Sequence, residues 1–323
     1  MLEYFQFDEK ILSPEEWDNF VDNSDNGTMF SKRRFLSYHS KDKFKDKSFY
    51  ITKDGKLYSI FTAALIEREG KKILSSHPGA SFGGFVHNSD LNFREAHDLV
   101  DMMVEHAKSL KADLIQLTLA PMIYQTKYSN YLDFALVRGG FQYLKREVSS
   151  VVQLDFEPDQ LLNSYRAEAR TATKKALKKG VEIVETERFD EYYEILKKNL
   201  KLRHGVNPAH TLDELKKVKS LFPSKIRLWG AFLNDKMLAG VCNFSVNKNV
   251  VLAFYISHDE AYQEYRPVNL LFYEIMKRYQ TEGFRFLDFG IFTVAMEPNW
   301  GLGRFKENFG ARGIFRDTFF KEL

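Results

Sequence analysis

Two hydrophobic spacings alternate along the chain. Between Phe93 and Leu110, apolar residues fall at Phe93, Ala96, Leu99, Val100, Met103, Val104, Ala107 and Leu110. That is the 3.6-residue spacing of a helix with one buried stripe. Leu270, Leu271, Ile275, Met276 and Tyr279 repeat it between Val268 and Gln280. Before each helix lie runs rich in β-branched and aromatic residues, the composition of strands. The first set is SFYITK, KLYSIFTAALIE and KKILSS, broken by Asp54-Gly55 and Glu69-Gly70. The second is IRLWGAFL, KMLAGVCNFSV and VVLAFYIS, broken at Asn234-Asp235 and Asn247–Asn249. Such turns predict two antiparallel meanders, each followed by a helix. Ser13-Pro14-Glu15-Glu16 reads as a capping box with proline at the first helical position, opening a helix that runs to about Val21. A short helix is expected over Lys32–Tyr38, and further helices over Asp159–Lys179, Phe189–Leu202 and Thr211–Leu221.

The order of elements is itself repeated. Helix Phe93–Leu110 leads to strand Ala112–Leu119, a loop and FALVRGGFQ (Phe134–Gln142). The helix ending at Gln280 leads to strand Phe284–Gly290, a loop and RFKENFGA (Arg304–Ala311). The same succession twice predicts a duplicated α/β unit with mixed α+β sheets. The expected domains are residues 1–156 and 157–323. Their linker would lie near Asp155–Asp159, with the last strand available to pack back on the first domain.

Composition fits this picture. A chain of 323 residues suits two domains of about 150 residues. A hydrophobic content of 44% with 15% aromatics is that of a globular protein. A net charge of +3 gives no global attraction to nucleic acid or membrane. The one cysteine, Cys242, sits in a strand-like run, so no disulfide framework is expected. MLEYFQFDEK has neither the basic nor the apolar region of a leader, and no apolar run reaches about 18 residues. The expectation is a cytoplasmic protein without an integral membrane segment. His97 and His106 are spaced wrongly for a shared metal, and none is predicted.

Three motifs carry a resemblance. They are R-x-x-x-K-K-A-x-K-K-G-V (Arg170–Val181), the strand end LDFG and F-K-x-x-F-G (Phe305–Gly310). In this order they resemble the FemABX-like acyltransferases, which are tandem GNAT-fold proteins. That group includes enzymes adding amino acids to peptidoglycan precursors from aminoacyl-tRNA. The resemblance covers nearly the whole chain, and it implies two tandem GNAT domains. The loop SSHPGASFGG (Ser75–Gly84) is similar to a Gly/Ser-rich loop of one branch of that superfamily. Acetyl-CoA-dependent GNAT enzymes carry a glycine-bearing loop whose N–H groups cradle pyrophosphate at a helix start. Here QEYRPVN (Gln263–Asn269) has no glycine, and Pro267 removes a donor. The long coiled-coil arm of some relatives is also missing.

Amide formation from an activated acyl group needs an amine, a positioned carbonyl and donors where the oxyanion develops. By resemblance, Lys306 lies at the reaction site, steadying an oxyanion or a donor phosphate. A solvated helix lysine is the plain alternative. Asp288 is a candidate general base or positioning group, and a turn-capping aspartate is the plainer reading. Arg203 aligns with an arginine that contacts acceptor phosphates, and Tyr255 with a tyrosine of the acceptor channel, although His204 and Asn207 depart from the family pattern. Phe305 would anchor the Lys306 helix through Phe309 and border the substrate. Arg266 and Asn269 flank a helix start and could hold a donor phosphate. His77, Ser81, Gly83 and Gly84 form a first-domain loop open to close approach by a ligand, or a structural turn. Arg166, Arg170, Lys174, Lys175, Lys178 and Lys179 form a basic helical face, either solvated or attracting tRNA or an anionic lipid-linked acceptor.

The leading expectation is therefore an acyl- or aminoacyltransferase acting on the amine of a cell-envelope precursor or polysaccharide sugar. Acyl-CoA and aminoacyl-tRNA remain rival donors, and the acceptor is a small molecule or lipid-linked. An acetyl-CoA-dependent N-acetyltransferase of a small molecule or sugar is one alternative. A non-catalytic module that binds a glycan or peptide precursor is another, with the first domain lacking an active site of its own.

Overall fold

The computed structural model describes every residue except Lys41 and Pro158, and for Arg203 and His204 the backbone alone. The chain divides into two compact units. One is Met1–Glu147 with Phe315–Leu323, and the other is Val148–Ile314.

In the first unit, strands β1 (Leu2–Gln6), β3 (Phe49–Lys53), β4 (Lys56–Thr62) and β7 (Gly84–His87) form one antiparallel sheet. β2 (Lys45–Asp46), β5 (Ala64–Arg68), β6 (Lys71–Ser76) and β8 (Leu114–Thr118) belong to a second, in which β6 and β8 run parallel. The run KLYSIFTAALIE, expected as one strand, is two strands in different sheets. The break is Ala63, whose N–H goes to Ser48 Oγ and whose carbonyl accepts from Lys47 N. Borrowed side-chain bonds replace ladder bonds there, so the chain can turn.

Helix α1 (Pro14–Asn23) has the anticipated capping box, and α2 (Arg33–Leu36) is shorter than expected. α3 (Phe93–Ser109) is capped by Asn92, with Glu95 reaching back to the Asn92 N–H. Its stripe Ala96, Leu99, Val100, Met103 and Ala107 is buried against Phe49, Phe61, Phe85 and Leu117. α4 (Tyr131–Arg138) completes the core through Ala135 and Leu136.

Strand β9 (Gln142–Gln153) carries the chain into the second unit. The expected helix Asp159–Lys179 is two, α5 (Leu161–Ser164) and α6 (Ala167–Lys178). Arg166 between them is extended and gives its N–H to Asn308 O, which ends one helix and starts the next. β10 (Glu182–Thr186), α7 (Phe189–His204) and α8 (Leu212–Leu221, capped by Thr211) precede the meander. The meander is β11 (Ile226–Leu233), β12 (Lys236–Ser245) and β13 (Val250–His258). α9 (Pro267–Thr281) then leads to β14 (Phe286–Ile291), which runs parallel to β13 and antiparallel to β9. A small hairpin, β15 (Thr293–Val294) and β16 (Glu297–Pro298), leads to α10 (Trp300–Glu307) and β17 (Arg312–Glu322). The end of β17 pairs with β8 within the first unit.

The repeat anticipated from the sequence is therefore present, as α3–β8–α4–β9 and again as α9–β14–α10–β17. The second core sits where the α9 stripe, Leu270, Leu271, Ile275, Met276 and Tyr279, meets Ala239, Val241, Val251 and Ala253. Among the described residues no helix is long and apolar enough to cross a membrane.

Candidate active site

The site of most chemical interest lies where β13 and β14 part. Their parallel ladder runs from Val250↔Phe286 to Leu252↔Asp288 and stops, although β13 continues to His258. A bulge in β13 sits just beyond, because Cys242 faces Tyr255 while Asn243 faces Ala253, leaving Phe254 unpaired. One extra residue exchanges the two faces of a strand. Val251 and Ala253 accordingly pack in the core beside α9 before the bulge, and Ile256 does so after it.

Past the bulge, Ile256 and His258 of β13 line a cavity of ≈ 550 Å³ that the end of α7, the start of α9 and α10 complete. Leu200, Ile256, Val268, Leu302 and Phe305 give it apolar walls, while Asn199, His258, Gln263, Arg266, Asn269 and Asn299 supply polar groups. One end of the cavity is the start of α9. Pro267 occupies the first helical position and no side chain caps the helix. Pro267 has no N–H and Asn269 N donates to Arg266 O (3.1 Å), so what this end offers an anion is chiefly the positive end of the helix dipole. Arg266 holds a left-handed conformation (φ 55°, ψ 42°) that a non-glycine residue adopts at a cost, and it places a guanidinium at the same end. His258 is set near Glu260 (Nε2 to Oε2 3.6 Å) at the end of β13.

Beside this cavity, Lys306 is buried at 2% exposure on α10. β14 bulges against β9 between Asp288 and Ile291, which frees carbonyls from the ladder. The Lys306 ammonium takes two of them, donating to Gly290 O (2.7 Å) and Ile291 O (2.8 Å). Burial pushes the ammonium down to about 8, and the Asp288 carboxylate pulls the other way. Asp288 is itself buried and accepts from Ser149 Oγ (2.5 Å) and from Gly290 N (2.7 Å). It occupies the turn-capping position that was the alternative to a base. Phe305 lines the cavity and touches Phe309 and Phe272 (ring centroids 5.1 and 6.5 Å), which fixes α10 over the core.

Of the residues singled out from sequence, Arg266, Asn269 and Phe305 come together around the cavity. Lys306 and Asp288 lie next to it and are engaged with backbone groups. Tyr255 is elsewhere: the bulge puts it on the opposite face from Ile256, and its hydroxyl accepts from His210 N (3.1 Å). The side chain of Arg203 lies outside the described residues.

His77, Ser81, Gly83 and Gly84 belong to the first unit. Gly83 is required by packing, since a Cβ there would sit 2.1 Å from Ser76 O. Gly84 has φ 94° and donates its N–H to Ser76 Oγ (2.7 Å). The Ser81 carbonyl accepts from Arg316 Nη2. His77 lines a separate cavity of ≈ 680 Å³ together with Arg33, Asp46, Asp18 and His39, and burial pushes its imidazole down to about 4.

The basic face of α6 is partly neutralised within its own unit, because Arg166 pairs with Glu307 and Lys179 with Glu264. Leu200, Ile256, His258 and Leu302 were not anticipated as cavity residues. Nothing in their spacing marks them, since the strand bulge and the end of the β13–β14 ladder select them.

Residues 163–307, the greater part of the second unit, match the family model for an acetyltransferase (GNAT) domain. The fold of the whole chain is similar to that of FemX, with a TM-score of 0.76 and 16% identity over 99% of this chain and 97% of that one. Residues 163–307 are thus a GNAT acetyltransferase domain, and the chain as a whole has a FemX-like fold. A C-terminal domain assigned to a lysylphosphatidylglycerol synthetase of Agrobacterium fabrum has the same fold. Its TM-score is 0.61 and its identity 14%, over 96% of this chain and 92% of that one. A tandem GNAT protein from the clavulanic acid biosynthesis pathway, solved without acetyl-CoA, has a TM-score of 0.57. It is 11% identical over 100% of this chain and 98% of that one. No curated protein sequence matches.

Proposed function

We propose that this tandem GNAT acyltransferase forms an amide on the amine of a cell-envelope precursor or polysaccharide sugar, using an acyl or aminoacyl donor. The observation that carries this reading is the ≈ 550 Å³ cavity between the end of β13, the uncapped start of α9 and α10. An activated acyl donor carries an anionic handle and a carbonyl. The handle fits Arg266, Asn269 and the first turn of α9, where fixed dipoles need no reorganisation as charge arrives. The acyl group then lies against Leu200, Ile256, Leu302 and Phe305, with its carbonyl toward the edge of β13 that β14 leaves uncovered.

The acceptor amine attacks that carbonyl directly, so no protein nucleophile is needed. The new C–N bond replaces the C–S bond of an acyl-CoA or the C–O bond of an aminoacyl ester, and the thiolate or ester oxygen leaves with the amine's proton. The step requires loss of one amine proton and a donor toward the oxyanion. Lys306 and Asp288 support this from beside the cavity. The ammonium locks the carbonyls of Gly290 and Ile291, and Asp288 ties Gly290 N to Ser149, so the wall of the opening is rigid. Arg203 is assigned to the acceptor's approach by resemblance alone, and Tyr255, on the far face of β13, is given no part in it. The first unit ends α4 in Arg138-Gly139-Gly140, without a lysine motif, and is assigned no acyl transfer of its own.

The test is transfer itself. Purified protein is given acetyl-CoA or alanyl-tRNA, with a lysine-containing muropeptide or glucosamine as acceptor, and the amide product is followed by mass spectrometry. Product with wild type, and at least a tenfold lower yield with Arg266→Ala, is the expected result. No product with either donor would count against the reading.

A further inference from the structure

A third cavity lies wholly within the first unit, and acyl transfer assigns it nothing. Its volume is ≈ 420 Å³, within the range of small-ligand sites. Two polar side chains on its wall, Asp25 and His87, are each only 5% exposed. The Asp25 N–H donates to the His87 carbonyl at 2.9 Å, which clips the two segments together. Asp25 Oδ1 accepts from Lys127 N at 3.0 Å. His87 Nδ1 lies 2.8 Å from Asn88 O. A carbonyl only accepts, so Nδ1 carries the hydrogen. Burial holds the imidazole below its ordinary range, which leaves the ring neutral and Nε2 a bare acceptor. Among the described residues, neither Nε2 nor Asp25 Oδ2 has a hydrogen-bond partner.

A carboxylate oxygen and an imidazole nitrogen with lone pairs to spare on one cavity wall suit a ligand that brings donors and positive charge. The rim agrees with this. Tyr128 and Tyr131 are 50% and 44% exposed, and Phe93 meets Tyr131 edge to face with ring centroids 5.5 Å apart. Aromatic faces attract an ammonium and cover an apolar skeleton. We propose that this cavity binds the protonated primary amine of a small molecule, seating the ammonium between Asp25 and His87 with the carbon skeleton against Tyr128 and Tyr131. The proposal rests on different residues from the acyl-transfer reading, and either can fail without the other.

Calorimetric titration of the full chain tests it. Ethanolamine, lysine and glucosamine are the probes, with glucose and N-acetylglucosamine as controls in which the amine is replaced or acylated. At least one amine should bind at millimolar concentration or tighter, and the controls at least tenfold more weakly. Asp25→Asn keeps an acceptor for Lys127 N but removes the charge, and should weaken amine binding at least tenfold with the melting temperature unchanged. Should that variant fold poorly, His87→Gln provides the same comparison. Absence of binding by all three amines, equal binding of the controls, or wild-type affinity in the folded variant would each overturn the proposal.

Discussion

Lys306→Met isolates the buried ammonium that holds the end of β14. Methionine keeps the length and most of the volume while removing charge and donors. At neutral pH two effects oppose. Gly290 and Ile291 lose their donor, and each of these half-buried carbonyls left unpaired costs up to about 1–3 kcal/mol. Against this, the wild-type lysine is held at about 8 rather than 10.5, so keeping it charged in the fold costs about 3 kcal/mol. The net change at pH 7 is therefore small, between about 1 kcal/mol gained and about 3 kcal/mol lost.

The pH dependence is more decisive. The folded pKa lies below the unfolded one, so above pH 8 the folded lysine releases a proton that the unfolded chain still holds. Wild-type stability then rises with pH, by about 1.4 kcal/mol from this group between pH 7 and pH 9. The neutral amine can still donate to both carbonyls, whereas methionine never does. Urea unfolding followed by far-ultraviolet circular dichroism at the two pH values measures the difference. The variant should be more destabilised at pH 9 than at pH 7 by about 1.4 kcal/mol. Parallel stabilities at the two pH values would refute this account of Lys306.

Asp288→Asn should lower stability by about 1–2 kcal/mol at pH 7, because the buried ammonium loses its carboxylate. The loss should shrink toward pH 9 as Lys306 becomes neutral, measured by the same urea titrations. Arg266→Gly relieves a left-handed residue while removing a guanidinium, so stability should stay within about 1 kcal/mol of wild type. Donor KM should rise about tenfold, the scale of one lost charged contact, and steady-state kinetics beside thermal melts separate the two effects. Gly83→Ala places a methyl against Ser76 O and should cost at least about 3 kcal/mol, read from the melting of the first unit. An unchanged melting temperature would show that the loop can yield.

The elements with strong periodicity or explicit caps were legible in the sequence. α3 and α9 follow from their stripes, and α1 from Ser13 with its glutamate. The duplication was visible because each copy keeps the order helix, strand, helix, strand. Breaks made by distant partners were not legible. Ala63 divides a strand because Ser48 bonds to it, and Arg166 divides a helix because Asn308 accepts its N–H. The candidate site was half legible. Arg266 and Asn269 were marked by the helix start, and Phe305 by its spacing to Phe309. The cavity walls depend on a bulge at Phe254 and on where a ladder ends, and neither leaves a pattern in composition. The same bulge moved Tyr255 to the opposite face.

The central claim is that the cavity between the end of β13, the start of α9 and α10 is where the acyl group is carried. Leu302→Trp fills that cavity from α10 without touching Lys306, Asp288 or Arg266. Amide formation by wild type and variant from the same donor and amine, with equal melting temperatures, measures the claim directly. The account predicts product from wild type and at least a hundredfold slower turnover in the variant. Undiminished turnover in a folded Leu302→Trp protein would place the reaction elsewhere.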